Sequence, residues 1–161
     1  QAMNDFTHFD EEGRAHMVNV GSKSVTQRSA TARCTVPLNA QTFKTVHQGR
    51  VQKGDVFAVA QIAGIMAAKR TFALIPLCHP VAITGTDLSF SLDAEHNRIE
   101  IEATVSANGL TGVEMEALTA VSAAALTIYD MCKALQKDMT IENICLLRKT
   151  GGKNGVYQRA E

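Results

Sequence analysis

Asp130 and Lys133 stand one helical turn apart, directly after thirteen uncharged residues, Ala117 to Tyr129 (ALTAVSAAALTIY). An i,i+3 spacing on a helix makes two side chains neighbours, about 5–6 Å apart at Cβ. A carboxylate beside an ammonium at the end of so apolar a segment is costly unless paired or used, which makes Asp130 and Lys133 the first candidates for chemistry. Lys133 and Lys137 also suit a helix C-terminus, where cations complement the dipole; Asp130 opposes it and needs another reason to be there. At the other end, Thr111-Gly112-Val113-Glu114-Met115-Glu116 introduces the same helix. Thr111 and Glu114 have capping-box spacing, and acids in a first turn are favoured, so Glu114 and Glu116 carry a structural reading of their own.

Three further places offer cations or a proton carrier. Lys53, in Arg50-Val51-Gln52-Lys53-Gly54-Asp55, precedes a long apolar helix, and a lysine at a helix N-terminus makes an anion site. His79 lies in Pro76-Leu77-Cys78-His79-Pro80, a loop stiffened by two prolines. Arg148-Lys149-Thr150-Gly151-Gly152-Lys153-Asn154-Gly155 supplies cations and flexible amides fit for phosphate oxygens. It is not a Walker A loop, because the spacing differs and no Ser or Thr follows Lys153.

The elements that must position these groups are legible from periodicity. Ala30, Ala32, Cys34 and Val36 alternate with polar residues as a half-buried strand closed by Pro37, and a short helix follows over Ala40–His47. Asp55 can cap a helix from Val56 to about Leu74, ended by Pro76. Its Ala60, Ala63, Gly64, Ala67 and Ala68 would let another backbone come close. Two strands, Leu88–Leu92 and Ile99–Val105, flank a hairpin loop at Asp93–Asn97. The helix holding Asp130 spans about Gly112 to Gln136, and a last strand about Thr140 to Arg148.

The order strand, helix, strand, strand, helix, strand predicts an α+β fold of ferredoxin-like (βαββαβ) type: a four-stranded antiparallel sheet with both helices on one face. The chain reads as a single domain, with a polar N-terminal segment (1–29), a ferredoxin-like body (30–149) and a Gly/Lys-containing tail (150–161).

With 16 basic and 16 acidic residues the chain is neutral, which argues against a general polyanion binder but leaves room for a small anionic ligand. The same strand order occurs in RNA-binding RRM domains. Those need an aromatic-rich central strand, and only Phe90 is offered here, on the inward face. No apolar run reaches the about 20 residues that span a bilayer, so no membrane is expected. Cys34, Cys78, Cys132 and Cys145 form no CxxC pair; reduced thiols and a cytoplasmic setting are the expectation.

Longer blocks then stand out: His16-Met17-Val18, Lys53-Gly54-Asp55-Val56, Ala67-Ala68-Lys69-Arg70-Thr71, Leu74-Ile75-Pro76-Leu77-Cys78-His79-Pro80, Thr111 to Thr119 and Thr127-Ile128-Tyr129-Asp130-Met131-Cys132-Lys133. Together they resemble the cyclic pyranopterin monophosphate synthase family (MoaC) of molybdenum cofactor biosynthesis, from about Thr7 to Gly155. Asn19 and Gly21 depart from the pattern, which has Asp and Ser there.

The resemblance implies a lyase that rearranges 3′,8-cyclo-7,8-dihydroguanosine 5′-triphosphate to cyclic pyranopterin monophosphate and pyrophosphate. It implies a homo-hexamer, a trimer of dimers with interfacial active sites, fed by a radical-SAM enzyme that makes the substrate from GTP. Asp130, Lys133 and Lys53 resemble the catalytic residues. Leu77, Cys78, His79, Glu114, Met115 and Glu116 match substrate-contacting segments, and Arg28, Lys69, Lys149 and Lys153 are expected on the triphosphate. No redox cofactor and no tight metal site are expected, and Mg²⁺ can accompany the triphosphate.

Overall fold

A computed structural model describes residues 7–160; the first six residues of the polar segment and Glu161 lie outside it. The chain runs β1 (Thr26–Pro37), α1 (Ala40–His47), α2 (Val56–Lys69), α3 (Thr71–Leu74), β2 (Ile83–Asp93), β3 (Arg98–Gly109), α4 (Glu114–Cys132), β4 (Glu142–Thr150) and β5 (Tyr157–Gln158). The strands form one antiparallel sheet in the order β2-β3-β1-β4-β5. The first four strands have the ferredoxin-like arrangement, and the fifth is an addition from the tail.

Alternation explains the core. Ala30, Ala32, Cys34 and Val36 of β1 and Ile99, Ile101, Ala103, Val105 and Ala107 of β3 are buried on the face covered by helices. Their partners across the ladder, such as Ala32 with Ala103 and Cys34 with Ile101, share that face. Burying these side chains contributes roughly 1.5–3 kcal/mol for each large one. Phe90 packs against Phe57 with ring centroids 5.3 Å apart, so it is no stacking platform for a nucleic-acid base.

Asp55 caps α2 as its type and place suggest: Oδ1 accepts from the Phe57 and Ala58 amides at 3.1 and 3.0 Å. The single helix expected to Leu74 is interrupted at Arg70, which leaves helical geometry (φ −111, ψ 10). The buried Thr71 hydroxyl donates to the carbonyls of Ala67 and Ala68, satisfying groups the helix leaves open. The small residues of α2 serve this same chain. A Cβ on Gly64 would overlap Leu88 and lie 3.1 Å from the Ala120 carbonyl, so α4 and β2 are the surfaces that approach. Lys53 beside Asp130 and Gly64 beside Ala120 show that α2 and α4 run antiparallel.

Helix α4 starts at Glu114 and ends at Cys132, shorter at both ends than the periodicity suggests. Ala117, Ala120, Val121, Ala124, Ala125 and Ile128 are fully buried along it. The capping-box expectation is not met. Val113 is the N-cap, no side chain among the described residues caps it, and Glu114 is drawn instead to Lys149. A half-buried ion pair has outcompeted a local turn.

Candidate active site

The two ends of α4 carry two separate clusters. At the C-terminal end, Lys53 reaches from the turn before α2, where Gly54 adopts φ +109. Its Nζ donates to the Asp130 carboxylate at 3.1 Å and to the Asp130 main-chain carbonyl at 2.8 Å. Lys133 Nζ approaches the other carboxylate oxygen at 2.7 Å. One carboxylate therefore bridges two ammonium groups, all about half exposed.

The hydrogen bond from Lys133, and then that from Lys53, hold the Asp130 carboxyl below the usual carboxylate range. Asp130 in turn pushes the Lys133 ammonium above its ordinary value. Both groups stay charged at neutral pH. The two lysines are the hydrogen-bond donors of this cluster and the Asp130 carboxylate is the acceptor they share. Nearby, burial pushes the Cys132 thiol up, so it is packing and not a nucleophile.

At the N-terminal end a cleft of about 680 Å³ is lined by Arg28, Glu114, Lys149, Gly151, Gly152 and Lys153. Arg28 is nearly buried at the start of β1, its Nε and Nη2 donating to the Gly109 and Leu110 carbonyls at 2.9 and 3.1 Å. Lys149 Nζ pairs with Glu114 at 2.7 Å. Beside it a smaller cleft of about 290 Å³ is lined by Leu77, Cys78, His79, Glu114, Met115 and Glu116. Glu116 is 4% exposed; burial, and next the Glu114 charge, raise its carboxyl. Burial and then Glu116 raise the Cys78 thiol. Glu116 and His79 line this smaller cleft together, a carboxyl and an imidazole on one hollow.

The site residues expected from sequence thus fall into two groups, Lys53–Asp130–Lys133 and the paired clefts. Lys69 joins neither: it is an exposed side chain ending α2 and lines neither cleft. Lys23, Thr111 and Gly112, which line both clefts, and His8, Val18 and Val20, which line the smaller one, were not singled out. Only the His16-Met17-Val18 block pointed to that segment, and a lone lysine in a polar stretch gives no signal. A third hollow, about 420 Å³ on the opposite face of the sheet, is lined by Arg33, Ser89, Glu100 and Glu102 and contains no candidate. All four cysteines are free, and the described residues hold no group of three or more His, Cys, Asp or Glu placed to bind a metal ion. Among them no helix is long and apolar enough to cross a membrane.

Glu114 and Asp130 are separated by about 24 Å of helix at 1.5 Å per residue. The two clusters therefore stand at opposite ends of α4.

Comparison with known proteins gives a consistent result. A sequence model of the MoaC family matches residues 17–152. The chain is similar to a protein of Heliobacterium modesticaldum, 59% identical over 99% of this chain and 100% of the relative. It is also similar to proteins of Thermoanaerobacter sp. (strain X514), 57% identical over 96% of this chain and 98% of the relative, and of Halalkalibacterium halodurans, 52% identical over 98% and 97%. All three relatives are named cyclic pyranopterin monophosphate synthase.

Proposed function

The chain belongs to the MoaC family, and on that premise we propose that it converts 3′,8-cyclo-7,8-dihydroguanosine 5′-triphosphate to cyclic pyranopterin monophosphate and pyrophosphate. It is a lyase of molybdenum cofactor biosynthesis. The observation that carries the mechanistic reading is Asp130 bridging the ammonium groups of Lys53 and Lys133.

The rearrangement needs a ring opened, a pterin formed and a cyclic phosphate closed as pyrophosphate departs. Each step moves protons or negative charge. Lys133 and Lys53 deliver and retrieve protons, and Asp130 fixes their positions. Arg28, Lys149 and Lys153, which line the larger cleft, take the triphosphate oxygens, and Lys69, which lines neither cleft, is left out of this set. Leu77, Cys78, His79, Met115 and Glu116 hold the heterocycle. No electrons are transferred, so no redox cofactor is required. Mg²⁺ can accompany the triphosphate, where it would offset phosphate charge alongside Arg28, Lys149 and Lys153.

Two clusters at opposite ends of one helix support a homo-hexamer in which the Lys53 cluster of one subunit meets the paired clefts of another. Exposed Val59, Ile62 and Met66 on α2 and Leu126 on α4 supply apolar surface for such contacts. A radical-SAM enzyme supplies the substrate.

The test is direct. Purified protein given the cyclic dihydro-triphosphate should release pyrophosphate and form cyclic pyranopterin monophosphate; absence of product ends the assignment. Mixing and reassembling inactive Asp130→Ala subunits with inactive Lys149→Ala subunits should restore part of the activity, because some interfaces then hold two intact halves. No recovery would place the whole site within one chain.

A further inference from the structure

Lys23, Thr111, Gly112 and Glu114 line both clefts at the N-terminal end of α4, so the two are neighbours divided by the Glu114–Lys149 pair. The larger is built to receive negative charge. Arg28 is anchored by two carbonyls, and Gly152, at φ +79 where glycine is favoured, brings the chain close enough that a Cβ there would lie 2.5 Å from Nη1. Thr26 lines the same cleft, and its hydroxyl is buried and without a partner among the described residues. Lys23, Lys149 and Lys153 add cations. Among the described residues lining it, Glu114 is the one acid.

The position of that acid depends on residue 112. A Cβ on Gly112 would overlap the Glu114 carboxylate, which is folded back over the glycine to meet Lys149. Gly112 is not in the left-handed region, so alanine is acceptable to the backbone there. Position 112 is glycine for the carboxylate's sake. Because the overlap is with the far end of a flexible side chain, alanine would move Glu114 off Lys149 without breaking the fold.

We propose that Glu114 is a built-in counter-anion of this cleft, which holds Lys149 until a phosphate of the substrate displaces it, and that Gly112 is the positioning residue that makes this exchange possible. The proposal rests on the reading above that the substrate carries a polyphosphate. The displaced carboxylate turns toward the smaller cleft, which it also lines, so phosphate binding reorganises the surroundings of His79 and Glu116.

Titration of the assembled full-length protein with inorganic pyrophosphate tests this without turnover. Gly112→Ala and Glu114→Gln should each bind pyrophosphate about two- to fivefold more tightly than wild type, the value of freeing one partly exposed ion pair. In a Lys149→Met background pyrophosphate should bind more weakly, and adding Gly112→Ala should change nothing. Unchanged or weaker binding in both Gly112→Ala and Glu114→Gln overturns the proposal, as does tightening that persists without Lys149. If wild type binds no pyrophosphate at all, the polyphosphate reading of the cleft falls with it. Glu114→Gln keeps the shape of the side chain and carries the test even if Gly112→Ala melts early.

Discussion

Lys53 is joined twice to Asp130, 77 residues away in sequence: its Nζ donates to the carboxylate at 3.1 Å and to the main-chain carbonyl of the same residue at 2.8 Å. The second bond satisfies a carbonyl near the end of α4, where helices leave acceptors open and favour a cation. Lys53 is therefore held by the helix itself as well as by its counter-ion.

Replacing Lys53 tests charge against proton transfer. Lys53→Met should lower turnover at least about a hundredfold, within the range for loss of a general acid–base group, and cost about 1 kcal/mol or less, because the pair is half exposed. Lys53→Arg keeps the charge but cannot release a proton at neutral pH. It should be nearly as inactive as Lys53→Met in steady-state assays. Activity of Lys53→Arg close to wild type would show that only its charge matters.

The pH behaviour of the cluster has two limbs of opposite sign. Asp130 is depressed, so its pairing is present above the ordinary carboxylate range and is lost as pH falls through its lowered value. Lys133 is raised, so its pairing is present below the ordinary lysine range and is lost as pH rises through its raised value. Between about pH 5 and 9 neither group should titrate in the ligand-free protein. Carboxyl-carbon and ammonium-nitrogen NMR shifts read this directly, and a midpoint for either residue inside that window would contradict the geometry.

Glu116 behaves in the opposite sense to Asp130. A buried carboxyl that is harder to ionise in the folded protein destabilises the fold at high pH and ceases to do so as pH falls through its raised value. Glu116→Gln should accordingly raise the melting temperature at neutral pH by about 2–4 °C, and the gain should shrink in acid. A gain independent of pH would mean that charge is not the cause.

Gly64 sets the spacing of the helical layer. Alanine there gains up to about 1 kcal/mol of helix propensity but meets Leu88 and the Ala120 carbonyl, an overpacking that costs about 1–3 kcal/mol. The balance is a net loss of about 1–2 kcal/mol in chemical denaturation. Combining Gly64→Ala with Leu88→Ala should cost less than the sum of the two alone, since one side chain then fills the room vacated by the other. Strict additivity would show that the backbone of α4, not Leu88, is the limiting contact.

Much of the fold was legible because one face of each element is buried. The alternation from Ala30 to Val36 and from Ile99 to Val105 reports a covered sheet face, and Asp55 before Val56 reports a helix start. Strand ends were not legible. Thr26 to Ser29 and Ala107 to Gly109 are partly polar, yet they pair because the neighbouring strand continues beside them. The two-residue β5 is too short to have a period. In the site, Asp130 and Lys133 were visible as an i,i+3 pair. The arrival of Lys53 was not visible from spacing, nor was the capture of Glu114 by Lys149, since both are long-range contacts that override local preferences. The assignment of these residues to chemistry came from resemblance, and their separation into two clusters came from the length of α4.

The short strand β5 bears on entropy. Tyr157 pairs with Lys149 and Gln158 with Arg148, while the Arg159 amide donates to the Leu147 carbonyl at 2.7 Å. The glycine-rich stretch is thus a closed circuit rather than a loose end, both of its feet standing on β4. Immobilising a free residue costs about 1–2 kcal/mol, and a circuit tied at both feet has surrendered part of that freedom before any ligand arrives. Trimming the chain back to Asn154 would leave Arg28, Lys149 and Lys153 all present yet make their convergence on one anion costlier, so the last residues act on affinity without touching what is bound.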